Sequence, residues 1–434
     1  ICCFKPVLLR PWLQRYLAAN KSISSQMHRV SLAACLLLSA CCLYCAHGKD
    51  KKAIIKVGGV LQSTGHGANA KKVFELWKKW AASADNKLGF EVDLKWEDFT
   101  KEKATEAAKK LTDKTVCKED CVDVFVCPYG SAGTLAAIKG IPEKSTIPIL
   151  IWGAAASQIF DEACKDRKCF GTLTKASEYF GGGLSGLKDA AASSKPLSVG
   201  LIMKKDPFAE DVARGAKEYM EEDKGFTIVE EASSFEGAIE EKPDLVLVAN
   251  NNGKEVAEGV LLIGKSTYRP KAILAVNSIT NKSITSFQEA KALQFQECLL
   301  MPSQWAAKPG MKDDIVGWTP ETFTRDLDIG FVTYQAASAA GSAIAVTHAL
   351  QKWSPEHPEH LWKALKHVDI TTLFGKIKYS EDGSISKEKP VYTRQKQEMS
   401  NPIVFPEDAK TADLKFPLTT CDTWKLKTEK LRLI

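Results

Sequence analysis

The chain has 434 residues, 44% of them apolar and 26% charged, with 59 Lys and Arg against 53 Asp and Glu. That mix excludes a collagen, a coiled coil, a disordered chain or a polytopic membrane protein and leaves a globular chain with length for two domains. The formal charge of +6 would suit an anionic partner, but five basic residues (Lys5, Arg10, Arg15, Lys21, Arg29) and no acid precede residue 49. Beyond that point basic residues exceed acidic ones by one, so neither a nucleic acid nor an anionic membrane is an expected partner.

Met27-His28-Arg29 precedes an apolar run over 30–45. The run is shorter than the ~20 residues needed to span a bilayer, and Ala46-His47-Gly48 places small residues where a signal peptidase reads. Residues 27–48 are therefore expected to be a secretory signal peptide, and residues 1–26 an upstream extension. A rival reading takes Leu38-Ser39-Ala40-Cys41 as a lipobox with a lipid on Cys41; the residues after Cys41 stay apolar, which disfavours it. Seven of the 13 cysteines follow the leader. Cys117 with Cys121, and Cys164 with Cys169, occupy polar loops and are expected to be local disulfides of an oxidising compartment. A metal reading is weaker, because no second Cys or His pair stands nearby at ligand spacing. Of Cys127, Cys298 and Cys421 one is left over, and Cys127 lies in an apolar strand that would bury it.

Strands are predicted over 53–61, 90–96, 122–127, 147–152, 197–203, 227–230, 245–249 and 272–276, and helices over 70–83, 103–111 and 209–222. Apolar runs such as Ile147-Pro148-Ile149-Leu150-Ile151 imply strands covered on both faces. The alternation starts twice, at residue 53 and again near 195, which predicts two open α/β lobes. A long Ala-rich helix is expected over 328–351, followed by a turn at Asp382-Gly383. Lobe 1 is assigned 49–172 with 305–385, and lobe 2 is assigned 173–304 with 386–434.

Gly65-His66-Gly67-Ala68-Asn69-Ala70 matches a dinucleotide fingerprint, but no acid ends the second strand at the required spacing. No cofactor is expected. His357, His360 and His367 form a second cluster; Ser354-Pro355-Glu356 reads as a helix start, so a solvated helix end is preferred to a metal site. No nucleophile elbow, P-loop or zinc-protease motif occurs. Small and polar residues do follow three strands in succession: Ser63-Thr64-Gly65, Tyr129-Gly130-Ser131 and Gly153-Ala154-Ala155-Ala156-Ser157. Open α/β sheets place their ligand crevice at such strand ends, where amides and hydroxyls meet a small solute. Asn281-Lys282-Ser283 is a glycosylation sequon.

Several of these segments resemble the type I periplasmic binding proteins, especially the branched-chain amino-acid binders. They are Ile55-Lys56-Val57-Gly58-Gly59-Val60, Val122 through Ser131, Ile147 through Ala154, the 197–203 strand with Asp206-Pro207-Phe208, Thr333-Tyr334-Gln335-Ala336, and Leu373 through Tyr379 with Asp382-Gly383. The resemblance runs over nearly all of 53–420. It implies a two-lobed clamshell with three crossovers that closes on a small solute by hinge motion. Carried over position by position, it places Ser131 and the Ala154, Ala155 and Ala156 turn at the solute's polar end. Thr64 falls at the first-turn contact, Phe208 at a second-lobe aromatic, and Asn251 and Asn277 after second-lobe strands. Trp152 and Trp305 are candidate cleft walls. Where relatives often carry an acid for an ammonium group, this chain has the neutral Asn277, which counts against a zwitterionic amino acid and leaves open an amide, a urea-like solute, another neutral polar metabolite or a differently oriented amino acid. The implied role is non-catalytic solute capture outside the cytoplasm, with a membrane transporter or receptor as partner. A receptor ectodomain and an exported α/β enzyme are the alternatives.

Overall fold

The computed structural model describes residues 53–308, 310–328, 332–354, 357, 359–386 and 390–425. The signal peptide, the Cys41 lipobox and the upstream extension lie outside the described residues, as does the side chain of Asn281.

The first sheet holds β1 (Ala53–Leu61), β2 (Phe90–Asp98), β3 (Val124–Val126), β4 (Pro148–Ile151) and β5 (Lys168–Gly171) in the order β2-β1-β3-β4-β5. β1 with β3, β3 with β4, and β4 with β5 pair in parallel. Their apolar runs are buried because helices cover the sheet: α1 (Gly65–Ala82), α2 (Ala104–Thr112) and α3 (Ser131–Lys139) lie between consecutive strands.

The second sheet holds β6 (Leu197–Met203), β7 (Phe226–Ile228), β8 (Leu245–Ala249), β9 (Ala272–Ala275), β10 (Leu300–Ser303), β13 (Tyr392–Gln395) and β14 (Ile403–Phe405), in the order β14-β13-β10-β9-β8-β6-β7. Its centre is parallel, while β13 and β14 close one edge antiparallel. Helices α4 (Gly181–Ala191), α5 (Pro207–Glu222), α6 (Phe235–Glu241), α7 (Gly253–Lys265) and α8 (Asn281–Glu289) alternate with these strands. Chain order therefore passes from the first sheet to the second after β5. It returns through α9 (Pro320–Leu327), α10 (Tyr334–Leu350) and α11 (His360–Lys366), with the hairpin of β11 (Asp369–Thr372) and β12 (Gly375–Lys378) following, and ends on the second sheet.

The crossovers are tied together. Thr174 N–H donates to Gln304 Oε1 at 2.7 Å while Gln304 Nε2 donates back to Thr174 O at 3.1 Å, joining the first crossing to the second. Gly171 N–H donates to Gly383 O at 2.8 Å and so attaches the third. Gly383 has φ +81, and a Cβ there would stand 1.9 Å from Cys169 O, so only glycine fits. α10 is buried along almost its whole length, as its Ala-rich sequence requires. It is fixed to the first lobe by the Trp77 indole, which donates to Thr347 Oγ1 at 2.9 Å, and by Ser338 Oγ, which donates to Trp152 O at 2.7 Å.

Two expectations about elements are corrected and one is borne out. The long helix starts at Tyr334 rather than at 328: Asp328 adopts φ 48 as the left-handed end of α9, and Thr333 caps α10 by accepting from Ala336 N–H. The turn at Asp382-Gly383 is present and joins Tyr379 to Ile385, which bridge antiparallel, while the β11–β12 hairpin turns at Leu373-Phe374. α11 begins at His360 behind Glu359, not at Ser354. The Cys117–Cys121 and Cys164–Cys169 disulfides are present, Cys298 pairs with Cys421, and Cys127 is free and buried, its thiol pushed well above the ordinary range by burial.

Candidate functional site

A cavity of about 260 Å³ is lined from both lobes, by turns at the ends of β3, β4, β8 and β9 and by the first crossover. β3 gives way to Cys127-Pro128-Tyr129, and Gly130, at φ 90, turns the chain into α3 with Ser131 as its first residue. Gly130 contributes no capping side chain, so the first amides of α3 have no intrahelical acceptor. Ser131 Oγ lies 3.2 Å from Ala156 N and 3.4 Å from Ala155 N and accepts from both. With both lone pairs engaged, the hydroxyl proton is what Ser131 has left to offer the cavity. The Ala155 carbonyl is occupied as well, by Ala176 N–H at 2.7 Å.

Aromatic rings form much of the remaining wall. Tyr129 lies 4.5 Å from the His66 ring, and Tyr179, from the first crossover, meets Phe208 edge-on at 5.4 Å. Phe208 is held at the start of α5 by the cap Asp206, whose carboxylate accepts from Phe208 N–H and Ala209 N–H, each at 3.0 Å. Tyr334 enters from the start of α10. Burial raises the ionisation of Tyr129 and Tyr179 above the ordinary phenol value and carries Tyr334 well above it, its phenol neighbours adding to the rise. All three therefore face the cavity as neutral hydroxyls at physiological pH. The second lobe adds Asn251, Gly253, Asn277, Thr280 and Ser283. Asn277 adopts φ 58, a conformation asparagine tolerates. Among the described residues lining the cavity there is no Asp, Glu, Lys or Arg.

The structure brings together Ser131, Ala154, Ala155, Phe208, Asn251 and Asn277 from the sequence expectations. Thr64, the exposed residue before α1, is not in the lining, where His66 stands instead. Ala156 is fully buried behind its turn. Trp152 is also fully buried, beneath Tyr129, and donates from Nε1 to Cys127 O at 2.8 Å. Trp305 lines a neighbouring cavity rather than this one. Sequence reading passed over His66, Leu173, Tyr179, Thr280, Ser283 and Tyr334, and named Tyr129 only as part of a strand-end turn. His66, Tyr129 and Tyr334 fall inside motifs already noted, whereas Leu173 and Tyr179 belong to a crossover with no periodic signal.

No family model matches the chain. Among solved structures it is similar to a putative branched-chain amino acid ABC transporter protein from Silicibacter pomeroyi, with a TM-score of 0.65 at 12% identity over 84% of this chain and 99% of that one. It is also similar to the branched-chain amino acid transporter substrate-binding protein LivJ from Streptococcus pneumoniae in complex with isoleucine, with a TM-score of 0.61 at 15% identity over 81% of this chain and 100% of that one. A third is an ABC transporter solute-binding protein from R. palustris in complex with benzoate, with a TM-score of 0.61 at 15% identity over 83% of this chain and 100% of that one. The chain has the type I periplasmic binding protein fold: two lobes, each a mostly parallel sheet flanked by helices. None of the described helices is long and apolar enough to cross a membrane.

Proposed function

We propose that the protein captures a small polar metabolite between its lobes, without catalysis, and delivers it to a membrane transporter or reports it to a receptor. The observation that carries this reading is one cavity walled by both lobes and lined by neutral donors and aromatic rings. The shared fold supports it, since two of the similar solved structures are an ABC transporter solute-binding protein and a transporter substrate-binding protein. The three disulfides support folding in an oxidising compartment outside the cytoplasm.

The lining also bears on the solute. An ammonium group enclosed by Asn251, Asn277 and tyrosine hydroxyls would have no counter-charge, and desolvating it would cost more than those contacts return. An amide, a urea-like compound or another uncharged solute with an apolar face meets every lining group: Ser131 donates to its carbonyl, Asn277 both donates and accepts, and the rings cover the rest. Thermal unfolding against a panel of amides, ureas and amino acids tests this. At 100 times its dissociation constant a true ligand adds about 2.7 kcal/mol and raises the midpoint. A midpoint unmoved by the whole panel would count against solute capture.

A further inference from the structure

Beside the cleft lies a second cavity of about 450 Å³ that shares Thr280 and Tyr334 with the first. Its walls are largely apolar, with Trp305, Met301, Val332 and Ile279 among them, and the Trp305 indole is locked in place by donating to Leu373 O at 2.8 Å. One charge faces this apolar space, the half-buried guanidinium of Arg394 on β13.

Arg394 lacks what a withdrawn guanidinium ordinarily has. Nη1 donates to Asn401 O at 2.7 Å and Nη2 to Trp305 O at 2.9 Å, and no carboxylate pairs with it among the described residues. Two uncharged carbonyls use two of its five N–H groups and leave the charge uncompensated. Loss of water around it lowers its pKa, and only the Tyr392 phenol opposes that shift. Gln335 is almost fully buried on the same wall, beside the hydroxyls of Tyr129 and Tyr334. A forked cation beside tryptophan and methionine side chains matches the oxyanion of a molecule whose body is apolar.

We propose that this compartment is a second ligand site, for an organic carboxylate with an apolar body, held at Arg394 and packed against Trp305. It goes beyond capture of a neutral solute in the first cavity and is testable apart from it. The probes are matched pairs that differ in charge, benzoate against benzamide and hexanoate against hexanamide, titrated calorimetrically into the wild-type chain and into Arg394→Gln, Thr324→Trp and Asn251→Trp. Thr324 is an exposed residue on the wall of the second cavity, and Asn251 an exposed residue on that of the first. The carboxylates should bind the wild type at least tenfold more tightly than their amides. Arg394→Gln and Thr324→Trp should each lose at least tenfold for the carboxylates, and Asn251→Trp should leave them unchanged. Carboxylate affinity that survives in Arg394→Gln, or is lost in Asn251→Trp alone, would overturn the proposal by placing the anion elsewhere, as would a wild type that takes amides but no carboxylate. Because amide binding blocked by Asn251→Trp reads the first cavity separately, either site can fail without the other. If Arg394→Gln does not fold, judged by circular dichroism, Thr324→Trp decides the question.

Discussion

Asp211 of α5 joins the two lobes beside the cleft, and its removal has a calculable effect. Its carboxylate is only 8% exposed; Oδ2 accepts from Ser157 N–H at 2.8 Å, Ser157 Oγ–H at 2.9 Å and Ser177 N–H at 3.2 Å, while Oδ1 takes Arg214. Ser157 ends the turn that lines the cavity from the first lobe, and α5 presents Phe208 from the second, so this carboxylate sets the spacing of two walls. In Asp211→Ala the buried Ser157 amide loses its acceptor at about 1–3 kcal/mol. The Ser177 amide is half-buried and adds less, and Arg214, about half exposed, regains water. The expected loss is about 2–4 kcal/mol, short of the full penalty for splitting a wholly buried pair. Asp211→Asn keeps one acceptor for the amides but loses the charge and turns an NH2 donor toward the half-exposed Arg214, for about 1–2 kcal/mol. Urea unfolding of the three proteins at unchanged m-value measures this directly. An Asp211→Ala variant within about 0.5 kcal/mol of wild type, the usual range for surface substitutions, would refute the brace.

The Cys298–Cys421 bridge closes a sequence separation of 123 residues and Cys117–Cys121 one of 4, so the double Cys→Ser variant of the first should cost about 5 kcal/mol on the chain-entropy scale and that of the second about 2 kcal/mol; equal losses in urea melts would contradict the ordering. Gly383→Ala must move Cys169 or the third crossover and leave φ +81 at a strained residue, and a midpoint that fails to fall would show that the crossover relaxes freely. Burial of Tyr129, Tyr179 and Tyr334 raises their folded pKa values above the unfolded value of about 10, so the stability this confers is complete below that pH and is lost as pH climbs toward the folded values. Phenolate absorbance at pH 10 that falls, in the folded protein, when one of the three is changed to Phe would contradict their burial.

Strand positions were legible where the chain repeats an apolar run between polar turns: β1, β6 and β8 begin and end where hydropathy alone puts them. β5, β10 and β13 were not, because polar residues or proline interrupt their four residues, and β14 was not, because its three stand between prolines; all take their pairing from neighbours rather than from their own pattern. The cleft followed the same division. Ser131 and the alanine turn could be named because a strand end in an open sheet points at the crevice, but Tyr179 reaches it only through the path of a crossover. Trp152 shows the converse: it follows β4 directly, yet its indole finds an acceptor in the core and turns away from the solute.

Under the proposed function the cleft takes an uncharged polar solute. Calorimetric titration with leucine and with 4-methylpentanamide, which shares its side chain, has an amide in place of the carboxylate and lacks the ammonium group, tests this most directly in the Arg394→Gln background, where the second cavity is silenced, with Ser131→Ala added in parallel. Tighter binding of the amide, weakened by Ser131→Ala, is the expected result; leucine binding more tightly than the amide in that background would contradict it.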